Sequence, residues 1–176
     1  MKKLLLVVAL LLLPAPSWAQ STAVDRLVPA LPTAHEQHVA DVLSWVTLGS
    51  ALALDLTDTL HDHCLPRDRG CKTAVLQTGV RLGLTAGITE AIKVATHRMR
   101  PCVPLCGSSN PRASFPSGHT AMAFSTVGDG SIGVFLPLAI GTGGLRIAAN
   151  KHWFTDTLAG AGVGLGSRWL STKVVR

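Results

Sequence analysis

Apolar positions recur at helical spacing along most of the chain. Val39, Val42, Leu43, Val46 and Leu54 mark a long helix over residues 39 to about 60, and a second runs over residues 72 to about 97. The second must stop near Arg100, because Pro101 disfavours helical backbone in the residue before it. A loop rich in Pro, Cys, Gly and Ser covers residues 101–115. Beyond it, apolar runs predict helices over residues 116 to about 127, 132 to about 150 and 152 to about 170, with Asp129-Gly130-Ser131 as a turn between the first two. Gly160, Gly162, Gly164 and Gly166 give the last helix a surface that another helix can approach closely. No alternating run is long enough to build a sheet. The expected fold class is all-α, a compact helical bundle of about five to six helices.

The first nineteen residues stand outside this pattern. Lys2 and Lys3, an apolar run from Leu4 to Leu13, the Pro14/Pro16 break and Ser17-Trp18-Ala19 have the form of a secretory signal peptide, and the run is too short for a transmembrane helix. The expected domain organisation is therefore 1–19 signal peptide, 20–38 extended lead-in with Pro29 and Pro32, and 39–176 helical-bundle domain, in a periplasmic or secreted protein. Cleavage would remove two of the sixteen Lys and Arg residues and lower the formal charge of +6 by two. A mildly basic chain suits an anionic substrate, and its scattered charge argues against nucleic acid. Four cysteines in an oxidising compartment imply disulfides. Three connectivities are possible, and short separations within predicted loops favour Cys64 with Cys71 and Cys102 with Cys106. A zinc reading of His61, His63, Cys64 and Cys71 fits no common ligand spacing.

Three clusters carry candidate chemistry. In Ala113-Ser114-Phe115-Pro116-Ser117-Gly118-His119-Thr120, Pro and Ser open a helix whose first amides form an anion site, and His119 lies in the same turn to move a proton. Upstream, Lys93 and Arg100 are close to two helical turns apart and can share one face. Downstream come Arg146, His152 and Asp156, the last two at the spacing that lets a carboxylate reach an imidazole. Each alone reads as ordinary: a capped turn, a solvated face, a surface pair worth little. Together they supply three cations, backbone amides, two histidines and an acid, which suits phosphoryl transfer through a histidine.

Lys93-x6-Arg100-Pro101, Pro116-Ser117-Gly118-His119 and Arg146-x5-His152-x3-Asp156 resemble the three motifs of the type 2 phosphatidic acid phosphatase and vanadium haloperoxidase superfamily. The resemblance covers residues 93–156. It implies that Lys93, Arg100 and Arg146 grip the phosphate oxygens with Ser117 and the Gly118 amide, that His152 is the nucleophile oriented by Asp156, and that His119 protonates the leaving group. It implies no metal and no cofactor, with vanadate acting as a phosphate mimic or inhibitor. The chain departs from the family pattern in two places. Leu145 stands where the family usually has Ser, removing a hydroxyl that could bond phosphate, and only 26 residues (120–145) separate His119 from Arg146.

The leading expectation is a metal-independent phosphomonoester hydrolase, acid phosphatase-like, working through a phosphohistidine. The alternative is a lipid-phosphate or diphosphate phosphatase at the periplasmic membrane face, followed by a vanadate-dependent haloperoxidase and by a non-catalytic binding module. The expected partner is a small-molecule or lipid phosphate, with no nucleic acid and with room for peripheral membrane contact. A polytopic membrane protein is not expected. Two crossings with a turn need roughly 45 residues, and Asp41, Asp55, Asp58, Arg81, Glu90 and Lys93 interrupt the first two helices.

Overall fold

A computed structural model describes residues 22–64, 70–103, 106, 109–128 and 132–175. The expected signal peptide, the Asp129-Gly130-Ser131 turn and Pro66 of the turn before Cys71 lie outside these residues. After a 3-10 turn over Val24–Leu27 come five helices: α1 (Ala34–His63), α2 (Cys71–Thr96), α3 (Gly118–Ser125), α4 (Ile132–Ala148) and α5 (Phe154–Val174). There is no strand among the described residues.

Helix α1 starts five residues earlier than its apolar periodicity indicates, within the stretch expected to be extended. A capping box explains the difference: the Glu36 amide donates to Thr33 Oγ1 at 3.2 Å, and the Thr33 amide donates to Glu36 Oε2 at 3.1 Å. The lead-in is also tied down where Leu31 N–H donates to Ala148 O at 3.0 Å. At its far end α1 is bridged to α2 by the Cys64–Cys71 disulfide, and Cys102–Cys106 closes the loop after α2, so both local pairings are formed. Helix α2 stops at Thr96, before the proline signal takes effect. His97 caps it in a left-handed conformation (φ 46°) with its N–H on Lys93 O, which turns Arg98 and Arg100 out of the helical path.

The apolar stripe that reveals α1 in the sequence faces outward. Val39, Val42, Leu43, Val46 and Leu54 are exposed, whereas Ala40, Ser44, Leu48, Ala51 and Asp55 are buried. Helix α2 repeats the inversion, burying Arg81, Thr85, Thr89, Ile92 and Thr96 and exposing Val75, Leu76, Ile88 and Val94. Inside the bundle, Arg81 grips Asp55 with both arms and fastens α1 to α2. Of the charges that interrupt these helices, Asp55, Arg81 and Asp41 are paired inward, the last with Arg146, whereas Asp58 and Glu90 are exposed. Among the described residues α1 is the one helix long and apolar enough to cross a bilayer, judged by length and composition.

Short α3 touches all four other helices and packs most extensively on α5. The close approach rests on two of the four glycines. A Cβ on Gly160 would lie 2.5 Å from Ser117 O, and one on Gly164 would lie 2.2 Å from Ala121 O, whereas Gly162 and Gly166 face open space. This contact sets the N-terminus of α5 against the N-terminus of α3, which brings the second and third motifs together.

Candidate active site

The α4–α5 connection is tight, with Asn150 left-handed (φ 56°) and the amides of Lys151 and His152 both donating to Arg146 O. His152 is thereby returned beside the cation six residues before it. Its ring is buried, and Nδ1 lies 2.7 Å from Ser114 O. A carbonyl can only accept, so Nδ1 carries the proton and Nε2 keeps its lone pair. That lone pair faces Arg100 Nη1 at 3.2 Å. The tautomer is therefore fixed by a backbone carbonyl and not by Asp156, whose Oδ2 is 3.6 Å from Nδ1. Asp156 acts one step away: it accepts from Ser114 Oγ, from Trp153 N–H at 2.9 Å and from Arg98 Nη1 at 2.7 Å. Ser114 thus holds imidazole and carboxylate through opposite ends of one residue.

The three expected phosphate-binding cations surround this imidazole and its partner His119. The loop after α2 wraps Arg100, whose guanidinium donates to the carbonyls of Asn110, Ala113 and Lys151 at 2.8, 3.0 and 2.9 Å. Arg146 pairs with Asp41 and reaches Ser44 Oγ at 3.3 Å. Lys93 donates to Glu90 at 2.6 Å, and its ammonium lies 3.4 Å from where a Gly118 Cβ would be, over the first turn of α3. A Cβ at 118 would meet that ammonium at ordinary contact distance. Ser117 is fully enclosed, accepting from Thr120 Oγ1 at 2.9 Å, while its amide donates to Asp156 O.

His119 opens α3, its ring in edge contact with Trp45 at 4.0 Å between centroids, and its Nε2 is buried with no hydrogen-bond partner. Burial, reinforced by Arg146, His152, Lys93 and Arg100, lowers its pKa to about 3. His152 is lowered to about 4, chiefly by burial, with Asp156 opposing the shift and Arg100 and Arg146 adding to it. Both rings are therefore neutral at physiological pH. That suits His152 as a nucleophile. An anion placed beside the buried, unpartnered Nε2 of His119 would cancel part of the cationic field and raise its pKa.

Beside His119 a cavity of about 270 Å³ is lined by Trp45, Leu48, Thr89, Lys93 and Met122 among others. A somewhat larger cavity, about 320 Å³ around Asp55, Asp58 and Arg81, lies at the other end of the bundle. Among the described residues no three His, Cys, Asp or Glu side chains are grouped to hold a metal ion.

All eight residues expected from the sequence fall at one end of the bundle, in one network of contacts and fields. Sequence reasoning missed the residues that hold them. Asp41 reads only as a charge interrupting a helix, Ser114 as part of a loop, and Arg98 as one more basic residue, although it stands two positions before the motif arginine.

The bundle is similar to the type 2 phosphatidic acid phosphatase fold, in agreement with the three motifs it displays at one end. Its structural match is the crystal structure of Aquifex aeolicus LpxE, at a TM-score of 0.66 over 92% of this chain and 99% of that chain, with 20% sequence identity. In sequence, 124 residues are 31% identical to the lipid A 1-phosphatase of Porphyromonas gingivalis, which covers 62% of this chain and 26% of that protein. The chain thus spans about a quarter of the length of that curated relative. No protein-family model matches the chain.

Proposed function

We propose that the protein is a phosphatase that removes a phosphate monoester from a lipid, at the periplasmic face of the membrane, through a phosphohistidine on His152. The observation that carries the reading is the neutral His152, with Nε2 turned to Arg100, on the same end of the bundle as His119, whose neighbouring cavity is lined in large part by the apolar Trp45, Leu48 and Met122. In the reaction, the substrate anion cancels the cationic field and His119 takes up a proton from solvent; His152 Nε2 then forms a bond to phosphorus as the ester P–O bond breaks, and the departing alkoxide takes that proton from His119, leaving it neutral. Water then gives a proton to the neutral His119 and displaces the imidazole, releasing inorganic phosphate. Lys93, Arg100 and Arg146, with the Gly118 amide and Ser117, hold the equatorial oxygens. These cations perform the electrostatic task for which many phosphatases use a metal.

A lipid substrate takes precedence over the soluble phosphomonoester of the leading sequence expectation. Two observations move it: the curated relative is a lipid A 1-phosphatase, and the outer surface of the bundle is apolar. Trp45, which touches His119, is itself 59% exposed, so the reaction centre lies directly inside that surface. The location rests on the signal-like N-terminus and the two disulfides.

The test is phosphate release, with EDTA present, from a lipid phosphate monoester in mixed micelles and from a soluble aryl phosphate, with acid-labile phosphoenzyme trapped in parallel. Faster turnover of the lipid and loss of the trapped intermediate in His152→Ala are expected. Equal or faster turnover of the aryl ester would return the reading to a general phosphomonoesterase. Vanadate, sharing the cation set, is expected to inhibit.

A further inference from the structure

Asp25 lies in the 3-10 turn before α1, far outside the stretch that carries the motifs, yet it is more thoroughly satisfied than any site residue. It is buried, and its Oδ1 accepts from the Thr155 amide at 2.9 Å and the Thr155 hydroxyl at 2.7 Å. Oδ2 accepts from the Thr22 amide at 2.8 Å, the Thr22 hydroxyl at 2.9 Å and Arg98 Nη2 at 2.6 Å. The other arm of Arg98 donates to Asp156 Oδ1 and to Thr155 Oγ1, each at 2.7 Å. One buried guanidinium is thus shared between two buried carboxylates, and Asp156 is the one that neighbours His152.

Asp25 is held ionised in this arrangement. Burial alone would raise the Asp25 pKa, but hydrogen bonds from Thr22 and Thr155 and the charge of Arg98 outweigh it and bring it to about 2. The row Asp25–Arg98–Asp156 therefore carries a net negative charge behind an imidazole that otherwise faces Arg100 and Arg146. Without Asp25, Arg98 would neutralise Asp156 alone, and nothing would offset the positive charge that develops on His152 as its Nε2 bonds to phosphorus.

We propose that Asp25 is a positioning residue for the nucleophile, and that docking of the segment Thr22 to Leu27 against Arg98 and Thr155 completes the active site. The role rests on the assignment of His152 as the phosphate acceptor. It gives the N-terminal lead-in a function that its sequence does not betray, because the partners of Asp25 lie 73 and 130 residues away.

The test compares Asp25→Asn, Asp25→Glu and Thr155→Val in the full chain, by steady-state kinetics across pH, thermal unfolding, and ¹⁵N NMR titration of the His152 ring. The groups facing that ring are Asp156, Arg100, Arg146 and His119. Asp25→Asn is expected to lower kcat by about tenfold or more with little change in KM, and to move the acid limb and the ring titration down by about one pH unit, since a lost negative charge disfavours imidazolium. Asp25→Glu should restore the position of the limb. Thr155→Val, which keeps every charge, should leave the limb in place. If Asp25→Asn folds and loses kcat only in proportion to stability, with limb and ring titration unmoved, the proposal is overturned. If Asp25→Asn does not fold, Thr155→Val decides: a limb and ring titration displaced by about one pH unit in this variant, which removes no charge, overturn the proposal, and an unmoved limb supports it. The NMR titration needs no turnover, so a wild-type protein that hydrolyses no phosphate ester defeats the phosphatase reading while Asp25 is still judged by its effect on the ring.

Discussion

The ring nitrogens of the two histidines meet different surroundings, which suits them to the opposite tasks proposed for them. His152 Nδ1 is bound to Ser114 O, which leaves the Nε2 lone pair free of a proton, whereas His119 Nε2 is buried with no hydrogen-bond partner. His152→Ala should therefore abolish turnover. His119→Ala should retain activity on aryl phosphates, whose leaving group needs no proton, and lose about a hundredfold more on alkyl or lipid phosphates; equal losses on the two classes in a kcat comparison would show the roles to be misassigned. The depressed histidines also set a pH dependence. Their folded-state pKa values of about 3 and 4 lie below the ordinary 6.5, so the unfolded chain binds more protons between those limits. The stability they contribute is complete above about pH 6.5 and declines as pH falls toward 4, so the unfolding midpoint should drop over that window. kcat/KM should fall with an acid limb near pH 4 as His152 is protonated. A limb near 6.5 would mean that the free imidazole is not buried as described.

At the scale of elements, the site depends on how closely α3 and α5 approach. Gly160 and Gly164 are one turn apart on the face that meets the backbone of α3, and the added Cβ of an alanine at 164 would fall 2.2 Å from Ala121 O and 2.8 Å from Ser125 N. Backbone atoms cannot rotate away, so Gly164→Ala should cost about 2 kcal/mol or more. It should also lower activity, because the shift separates His119 from Asp156. Gly162→Ala meets nothing and should be neutral or stabilising by up to about 1 kcal/mol through helix propensity. Thermal unfolding of the two variants side by side checks the contrast. Similar losses at both positions would show that the glycines serve flexibility and not contact.

Outside an apolar core of Leu48, Ala51, Ala123, Val127, Phe135 and Ala139, much of the molecule inverts the usual polarity. Its largest fully buried side chains include Thr85, Thr120, Thr126, Thr142 and Asp156, while Trp45, Leu76 and Val94 are 59%, 59% and 67% exposed. Small polar interiors with large apolar exteriors are what a lipid surrounding favours, since burial against another helix gains little where the solvent is itself apolar. The length argument against a polytopic protein holds for α3 and α4, which extend roughly 12 and 25 Å, short of two crossings of a core about 30 Å thick. The charge argument weakens for α1, because Asp41 and Asp55 are satisfied by Arg146 and Arg81 inside the bundle, while Asp58 near its C-terminal end is exposed. The protein is therefore expected to pellet with membranes, to resist carbonate and to require detergent, in contrast to the soluble behaviour its interrupted helices suggest. Recovery in the soluble fraction without detergent would refute lipid contact through α1.

The helices and the motif residues were legible from local spacing alone, through the period of apolar positions, the proline and glycine breaks, and side chains whose chemistry is recognisable within a few residues; the same spacing favoured the disulfide pairs without choosing among three connectivities, and the fold forms the local ones. The sequence placed Lys93, Arg100, Ser117, Gly118, His119, Arg146, His152 and Asp156 at one candidate centre, and the fold brings them to one end of the bundle. Only the tertiary structure decided which face of α1 points inward, since periodicity reports that a stripe exists and not which medium it meets. It also decided who holds the functional groups. Asp25, Asp41, Arg98 and Ser114 carry no local signal, because a buried charge is satisfied by whatever residue the fold brings within about 3 Å, and here those partners lie up to 130 residues apart along the chain.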